Sequence, residues 1–296
     1  MIDLISSLGN EIGFVPNDVF IEPGRSIVGN ACVTLYTCGD FKHTFGDKNY
    51  QFIDGGMTDN IRQSLASGID TSKNNVLFYT GGCEKWHDFN IPSDKDSIYI
   101  IENGNLTLLE QREPHSMSDP NTLEYFLSYC TKNYPAQQYS LIMADHGGGP
   151  NVGLCVDINT KDVMTLSELA NALKRSGFTG DSKLETIMFD ACLMGGVEVA
   201  YQLREKCGLV GFSQTEVLAE GLHYKTLVSH LLGQAEPDPV QVCDDFYAYY
   251  DAQNGVERSA TISVVDCSKM EPLAELCADL FNRFHASISN LRPARV

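Results

Sequence analysis

The chain has 296 residues, 43% of them hydrophobic, and its 39 acidic against 21 basic side chains leave a formal net charge of -18. That balance argues against nucleic acid as a partner, because phosphate binding depends on Lys and Arg; it suits attraction of basic peptides, or simply a soluble acidic surface of bacterial type. No run approaches membrane-spanning length, and the ten cysteines form no C-x-x-C pair and no Cys/His zinc spacing, so most read as small buried apolar residues.

Residues 1–30 have weak periodicity and read as a leader or peripheral segment ahead of one domain over 31–290. Asp3, Glu11 and Asp18 interrupt the start, so no signal peptide is read there and the expected location is the cytoplasm; a chain that is a fragment of a longer precursor would instead be secreted. Cys32 to Thr37 reads as a buried strand, Met57 to Ala66 as a helix, and Val76 to Thr80 as a strand stopped by Gly81 and Gly82. Ser97 to Glu102 and Asn105 to Glu110 flank Asn103-Gly104, a pair that accepts the positive φ angles of a tight hairpin turn. Asp119 and Pro120 start a helix with Leu123, Phe126, Leu127 and Cys130 on one face. A strand from Tyr139 then ends at His146, and a Gly-rich loop over 147–164 leads to a capping box, Thr165 with Glu168. Leu184 to Asp190 and Leu209 to Ser213 are further strands. A helix opens at Asp238-Pro239, Ala260 to Val265 is a strand, and Ser268 with Glu271 starts a last helix carrying Leu273, Leu276, Leu280 and Phe284. Strands alternating with helices imply an α/β fold, a mostly parallel sheet flanked by helices on both faces, with the hairpin as an insertion.

Two strand ends carry the chemistry. Cys192 follows the apolar run Leu184 to Asp190 at what reads as the start of a helix, where the helix dipole would lower the thiol pKa. His146 follows the neighbouring apolar run and precedes Gly147, Gly148 and Gly149. One predicted helix separates the two strands, and a right-handed crossover sets such strands side by side or nearly so. The imidazole can then act as base toward the thiol, or as acid toward a leaving amine, while the N–H groups of Gly147 and Cys192 form an oxyanion hole. A single cysteine among ten is far more often core than nucleophile, so the weight lies in the joint arrangement.

The segments Asp145-His146-Gly147-Gly148-Gly149 and Phe189-Asp190-Ala191-Cys192-Leu193-Met194 together resemble the clostripain family of cysteine peptidases, within the caspase-like structural group. Supporting stretches are Thr80-Gly81-Gly82 with Trp86, Ser118 to Leu123, Tyr134-Pro135-Ala136, and Ser213 to Tyr224. The likeness runs from about residue 31 to about residue 285. It implies a cysteine endopeptidase with His146 and Cys192 as the catalytic dyad. It also implies that Asp190 is the floor of the specificity pocket, so that peptides and proteins are cut after Arg or Lys. Physics agrees on Asp190, which shares a strand face with Cys192 two residues on and can bind an arginine by charge-assisted bonds; as a duller reading, it caps a strand end or helix. Relatives process themselves in the region corresponding to 147–164, and Lys161 is the basic residue there, so a nick after Lys161 is expected. The dyad needs no cofactor, although some relatives depend on Ca2+, and no EF-hand loop is present.

Two other readings stand beside this one. His146-Gly147-Gly148-Gly149 also matches the HGGG oxyanion segment of esterases, but the chain has no G-x-S-x-G elbow. A non-catalytic caspase-like scaffold binding partners in the same crevice is the third.

Overall fold

The computed structural model describes residues 31–37, 42–45, 48–51 and 55–288, apart from 84, 158, 219 and 234–236. The expected leader over 1–30 lies outside the described residues. Twelve strands are found among them: β1 (Ala31–Thr37), β2 (Lys42–Phe45), β3 (Lys48–Gln51), β4 (Asn75–Thr80), β5 (Asp96–Glu102), β6 (Asn105–Arg112), β7 (Gln138–Ala144), β8 (Leu154–Val156), β9 (Val163–Met164), β10 (Leu184–Asp190), β11 (Cys207–Phe212) and β12 (Ser263–Asp266). The α-helices are α1 (Gly55–Leu65), α2 (Pro120–Asn133), α3 (Leu166–Arg175), α4 (Val197–Leu203), α5 (Tyr224–Leu232), α6 (Pro239–Asp251) and α7 (Met270–Ile288).

Eight strands form the main sheet in the order β12-β11-β10-β7-β1-β4-β5-β6. The centre is parallel, through the pairings β4 with β1, β1 with β7, β7 with β10 and β10 with β11. The edges are antiparallel: β5 joins β4, β6 joins β5, and β12 joins β11. The parallel strands β4, β7 and β10 are buried along nearly their whole length, as expected where helices cover both faces of a sheet. The helices fall into two packed groups, α1 with α5 and α6, and α2 with α3, α4 and α7.

Local signals account for several of these elements. Asn103 and Gly104 adopt φ of 50° and 74° and close the β5–β6 hairpin. The Asp119 carboxylate accepts the Asn121 N–H ahead of Pro120, and Thr165 and Glu168 form the reciprocal capping box of α3. Two expectations are corrected. The 147–164 segment is not a featureless loop, because β8 and β9 pair within it. Along the last helix Met270 and Ala274 are buried, whereas Leu276, Leu280 and Phe284 are each more than half exposed. The cap also differs, since Asp266 rather than Ser268 caps the 3-10 turn that leads into α7.

Candidate active site

The parallel pairing of β7 with β10 sets Ala144 opposite Asp190, and the Asp145 N–H extends it by donating to the Asp190 carbonyl at 3.2 Å. His146 and Cys192 each lie two residues beyond that pair. The two segments therefore leave the sheet side by side. Gly147 shows how closely: a Cβ built there would lie 2.2 Å from the Cys192 carbonyl oxygen and 3.1 Å from its nitrogen. A side chain at 147 would force the two segments apart, so glycine is what lets the histidine strand end sit against the cysteine. Gly149 has φ of 69° and packs on the Leu193 carbonyl, which holds the rest of the glycine run against the same turn. His146 and Cys192 are both half-buried.

The strand–cysteine–helix reading needs one correction. Cys192 does not start a helix; it sits in a turn, and α4 begins at Val197. Gly195 and Gly196 intervene, with Gly195 pressed on the backbone of Ser213 and Gln214. The expected lowering of the thiol pKa by a helix dipole is thus absent. Burial pushes the Cys192 thiol up, the Val217 backbone pulls it partly back, and Glu216 and Asp190 add to the rise.

Over the thiol lies a strap, described over residues 213–218 and 220–221. The Val217 N–H donates to Cys192 Sγ at 3.2 Å, and the Val217 carbonyl lies 3.6 Å from the same sulfur. Leu193 N–H to the Thr215 carbonyl and Gly195 N–H to the Ser213 carbonyl fix the strap to the cysteine turn. Ser213 Oγ donates to the Thr215 carbonyl, accepts the Thr215 N–H, and lies 3.1 Å from Thr261 Oγ1.

Asp190 lies in the same cavity as Cys192, together with Met57, Asn60, Asp145, Val217 and Gly221. Its carboxylate is buried and accepts the Leu222 N–H at 3.1 Å and the Tyr224 hydroxyl at 2.7 Å. Burial pushes its pKa up from 3.8 to about 6, with those two hydrogen bonds working in the opposite direction. Gly221, at φ of 60°, is packed so closely that a Cβ would meet Asp190 Oδ2 at 2.4 Å. Asp190 is therefore a buried carboxyl facing the cavity that Cys192 also lines, not a helix cap.

Lys161 is exposed, with φ of 61°, at the tip of the β8–β9 connection. That turn is tied down by buried Asp157, whose carboxylate accepts N–H groups of Met117, Asn159 and Thr160. Ser118 Oγ adds bonds to the Cys155 and Asp162 carbonyls. Sequence reasoning missed Met57 and Asn60, which come from α1, far from either motif. It also missed the contact of Val217 with the thiol, for which no sequence pattern exists. Tyr224 was within reach, as it closes the Ser213 to Tyr224 stretch.

The family model described as the clostripain family matches residues 56–292. The chain belongs to the clostripain family. Clostripain of Hathewaya histolytica is 37% identical over 118 residues, covering 35% of this chain and 21% of that protein, so the chain spans about a fifth of that relative. Among solved structures, a secreted C11 cysteine protease from Bacteroides thetaiotaomicron in complex with an irreversible peptide inhibitor superimposes with a TM-score of 0.65 at 20% identity. That likeness covers 84% of this chain and 68% of that one. An inactive zymogen C11 protease from Parabacteroides distasonis gives a TM-score of 0.63 at 25% identity, over 87% of this chain and 67% of the other. The fold of these neighbours is the caspase-like α/β fold seen here. A further likeness is of another kind: diaminopimelate decarboxylase of Bacillus subtilis is 45% identical over 65 residues, 22% of this chain and 15% of that enzyme. So small a part of an enzyme cannot build that enzyme's core, and the likeness supports no decarboxylase reading.

Proposed function

We propose that this clostripain-family chain is a cysteine endopeptidase in which Cys192 is the nucleophile, His146 the acid/base and Asp190 the acceptor of a substrate Arg or Lys. The observation that carries the reading is the register of β7 on β10. It brings His146, Gly147 and Cys192 to adjacent strand ends above a buried carboxyl. In the proposed sequence the basic side chain before the scissile bond enters the cavity and pairs with Asp190. The Cys192 thiolate attacks the carbonyl carbon, and the developing oxyanion is held by the N–H groups of Gly147 and Cys192. His146 protonates the leaving amine, and a water activated by the same imidazole then hydrolyses the thioester. Because the Val217 N–H and carbonyl both contact the Cys192 sulfur, the strap has to withdraw before attack.

The chemistry asks for no organic cofactor and no metal; a Ca2+ requirement is tested by activity with and without a chelator. Substrates are peptides and proteins bearing Arg or Lys. Secretion is supported by the neighbour described as secreted, and no helix among the described residues is long and apolar enough to cross a membrane. Self-processing after Lys161 is supported by that residue's exposure and by the neighbour described as a zymogen. With Cys192 and His146 both present in a clostripain-family fold, the esterase reading is set aside. The scaffold reading has one observation in its favour, the covered thiol. A positional scan of fluorogenic peptides with wild type beside Cys192→Ala tests the proposal. Hydrolysis after Arg and Lys by wild type alone supports it, and no hydrolysis of any peptide favours the scaffold.

A further inference from the structure

Away from the cavity, at the far end of the β11–β12 edge, two buried cysteines meet. Cys207 opens β11 and Cys267 opens the 3-10 turn that precedes α7; their sulfurs are 3.6 Å apart although the residues are 60 apart in sequence. The antiparallel ladder pairs Leu209 with Asp266, so continued strand alternation would send Cys207 and Cys267 to opposite faces. Instead the chain turns at Cys267, where the Asp266 carboxylate accepts the Ser268 N–H, and this turn brings the second thiol round to the first. Both side chains are almost wholly buried, 0% and 2% exposed. They take no part in the proposed peptidase chemistry.

We infer that Cys207 and Cys267 are a redox pair that closes to a disulfide when the protein meets a small-molecule disulfide such as oxidised glutathione. Closure moves the sulfurs from contact to bonding distance, about 2.05 Å, a shift that side-chain rotation largely supplies. Cys267 is the better attacking sulfur. Its thiol is pulled down by the contact with Cys207 and by Lys183, whereas burial pushes Cys207 up. Cys267 thiolate attacks one sulfur of the glutathione disulfide and expels one glutathione thiolate. Cys207, giving up its proton, then attacks Cys267 Sγ in the mixed disulfide and expels the second. Two protein thiols and one small disulfide thus yield one protein disulfide and two small thiols. Access comes by opening of β12, an edge strand of four residues held on one side only by β11.

The bond would close a loop containing the strap, Tyr224 with its bond to Asp190, and Tyr250, whose hydroxyl donates to the Gly221 carbonyl at 3.2 Å. It would therefore tether the segment that covers the nucleophile, and through the unfolded state it would raise thermal stability.

The test is peptide mapping of wild-type protein after incubation with oxidised glutathione, with and without dithiothreitol before digestion, alongside thermal melts. A linked Cys207–Cys267 peptide, lighter by two hydrogens and lost on reduction, is expected, together with a Tm several degrees above that of the reduced protein. The Tm gain should vanish in Cys207→Ala and in Cys267→Ala, each checked for its fold by circular dichroism. Should either variant fail to fold, the map of the wild type decides alone. Glutathione retained on a single cysteine, a disulfide between other cysteines, or two thiols that stay unlinked when β12 is loosened by low denaturant would each overturn the inference.

Discussion

At the scale of single residues, the burial of Asp190 sets two consequences that can be separated by pH. Its carboxyl titrates at about 6 in the fold against 3.8 ordinarily, so between those values the folded chain holds a proton that the unfolded chain releases. This group therefore favours folding below pH 3.8, and that contribution is lost as pH rises through about 6. Asp190→Asn keeps an acceptor for the Leu222 N–H and a polar partner for Tyr224, so it should melt higher than wild type at pH 7.5. The difference, up to about 3 kcal/mol, should shrink toward zero near pH 3.5. Activity should move the other way. Asp190→Asn should lose at least about tenfold in kcat/KM toward Arg and Lys peptides, since a charge-assisted contact is worth about 1.5–3 kcal/mol. In wild type the KM for those peptides should fall as pH rises through about 6, a trend that kinetics on the variant should lack. A Cys192→Ala or His146→Ala chain should be folded and without turnover, measured by circular dichroism and peptide hydrolysis.

Among the elements, the strap is where sequence and structure part. The hairpin at Asn103-Gly104, the Asp119-Pro120 start and the Thr165/Glu168 capping box were legible because each is fixed by residues within one turn of itself. The His and Cys strands were legible for a related reason: buried parallel strands are long apolar runs, and their carboxyl ends line the crevice. The delayed start of α4 was missed although Gly195 and Gly196 signalled it, because the close approach of Gln214 that requires glycine there is a long-range contact. The Val217 contact has no local signature at all. If the strap governs access, Ser213→Ala, which removes its bonds to Thr215 and the contact with Thr261, should speed alkylation of Cys192 by iodoacetamide severalfold; an unchanged rate would mean the strap is no barrier. For Lys161, cutting an extended bond requires the pinned turn to open. Asp157→Ala, which releases three N–H groups, should hasten the appearance of a new N-terminus at Asp162 wherever Cys192 is intact. N-terminal sequencing over time reads this, and a fully active chain that stays uncut would show that self-processing is not needed.

For the molecule as a whole, the cavity lies at the ends of the parallel strands β7 and β10 near the middle of the sheet, while the antiparallel strands β5, β6 and β12 lie toward its two edges, the last read from sequence only as a strand of unstated direction. β1 lies in the middle of that sheet, between β7 and β4, yet precedes the residues that the family model matches. Removal of the chain through Thr37 should therefore abolish both a cooperative melt and activity, because it takes out a central strand paired on both sides. The most direct test of the central claim is active-site labelling with a lysyl or arginyl peptide carrying an irreversible thiol-reactive group, followed by mapping of the adduct. The account predicts one adduct per chain, on Cys192, that is lost in His146→Ala and suppressed when the basic residue is replaced by Asp or Leu. Labelling spread over other cysteines, or labelling of Cys192 indifferent to the charge of the peptide, would contradict it.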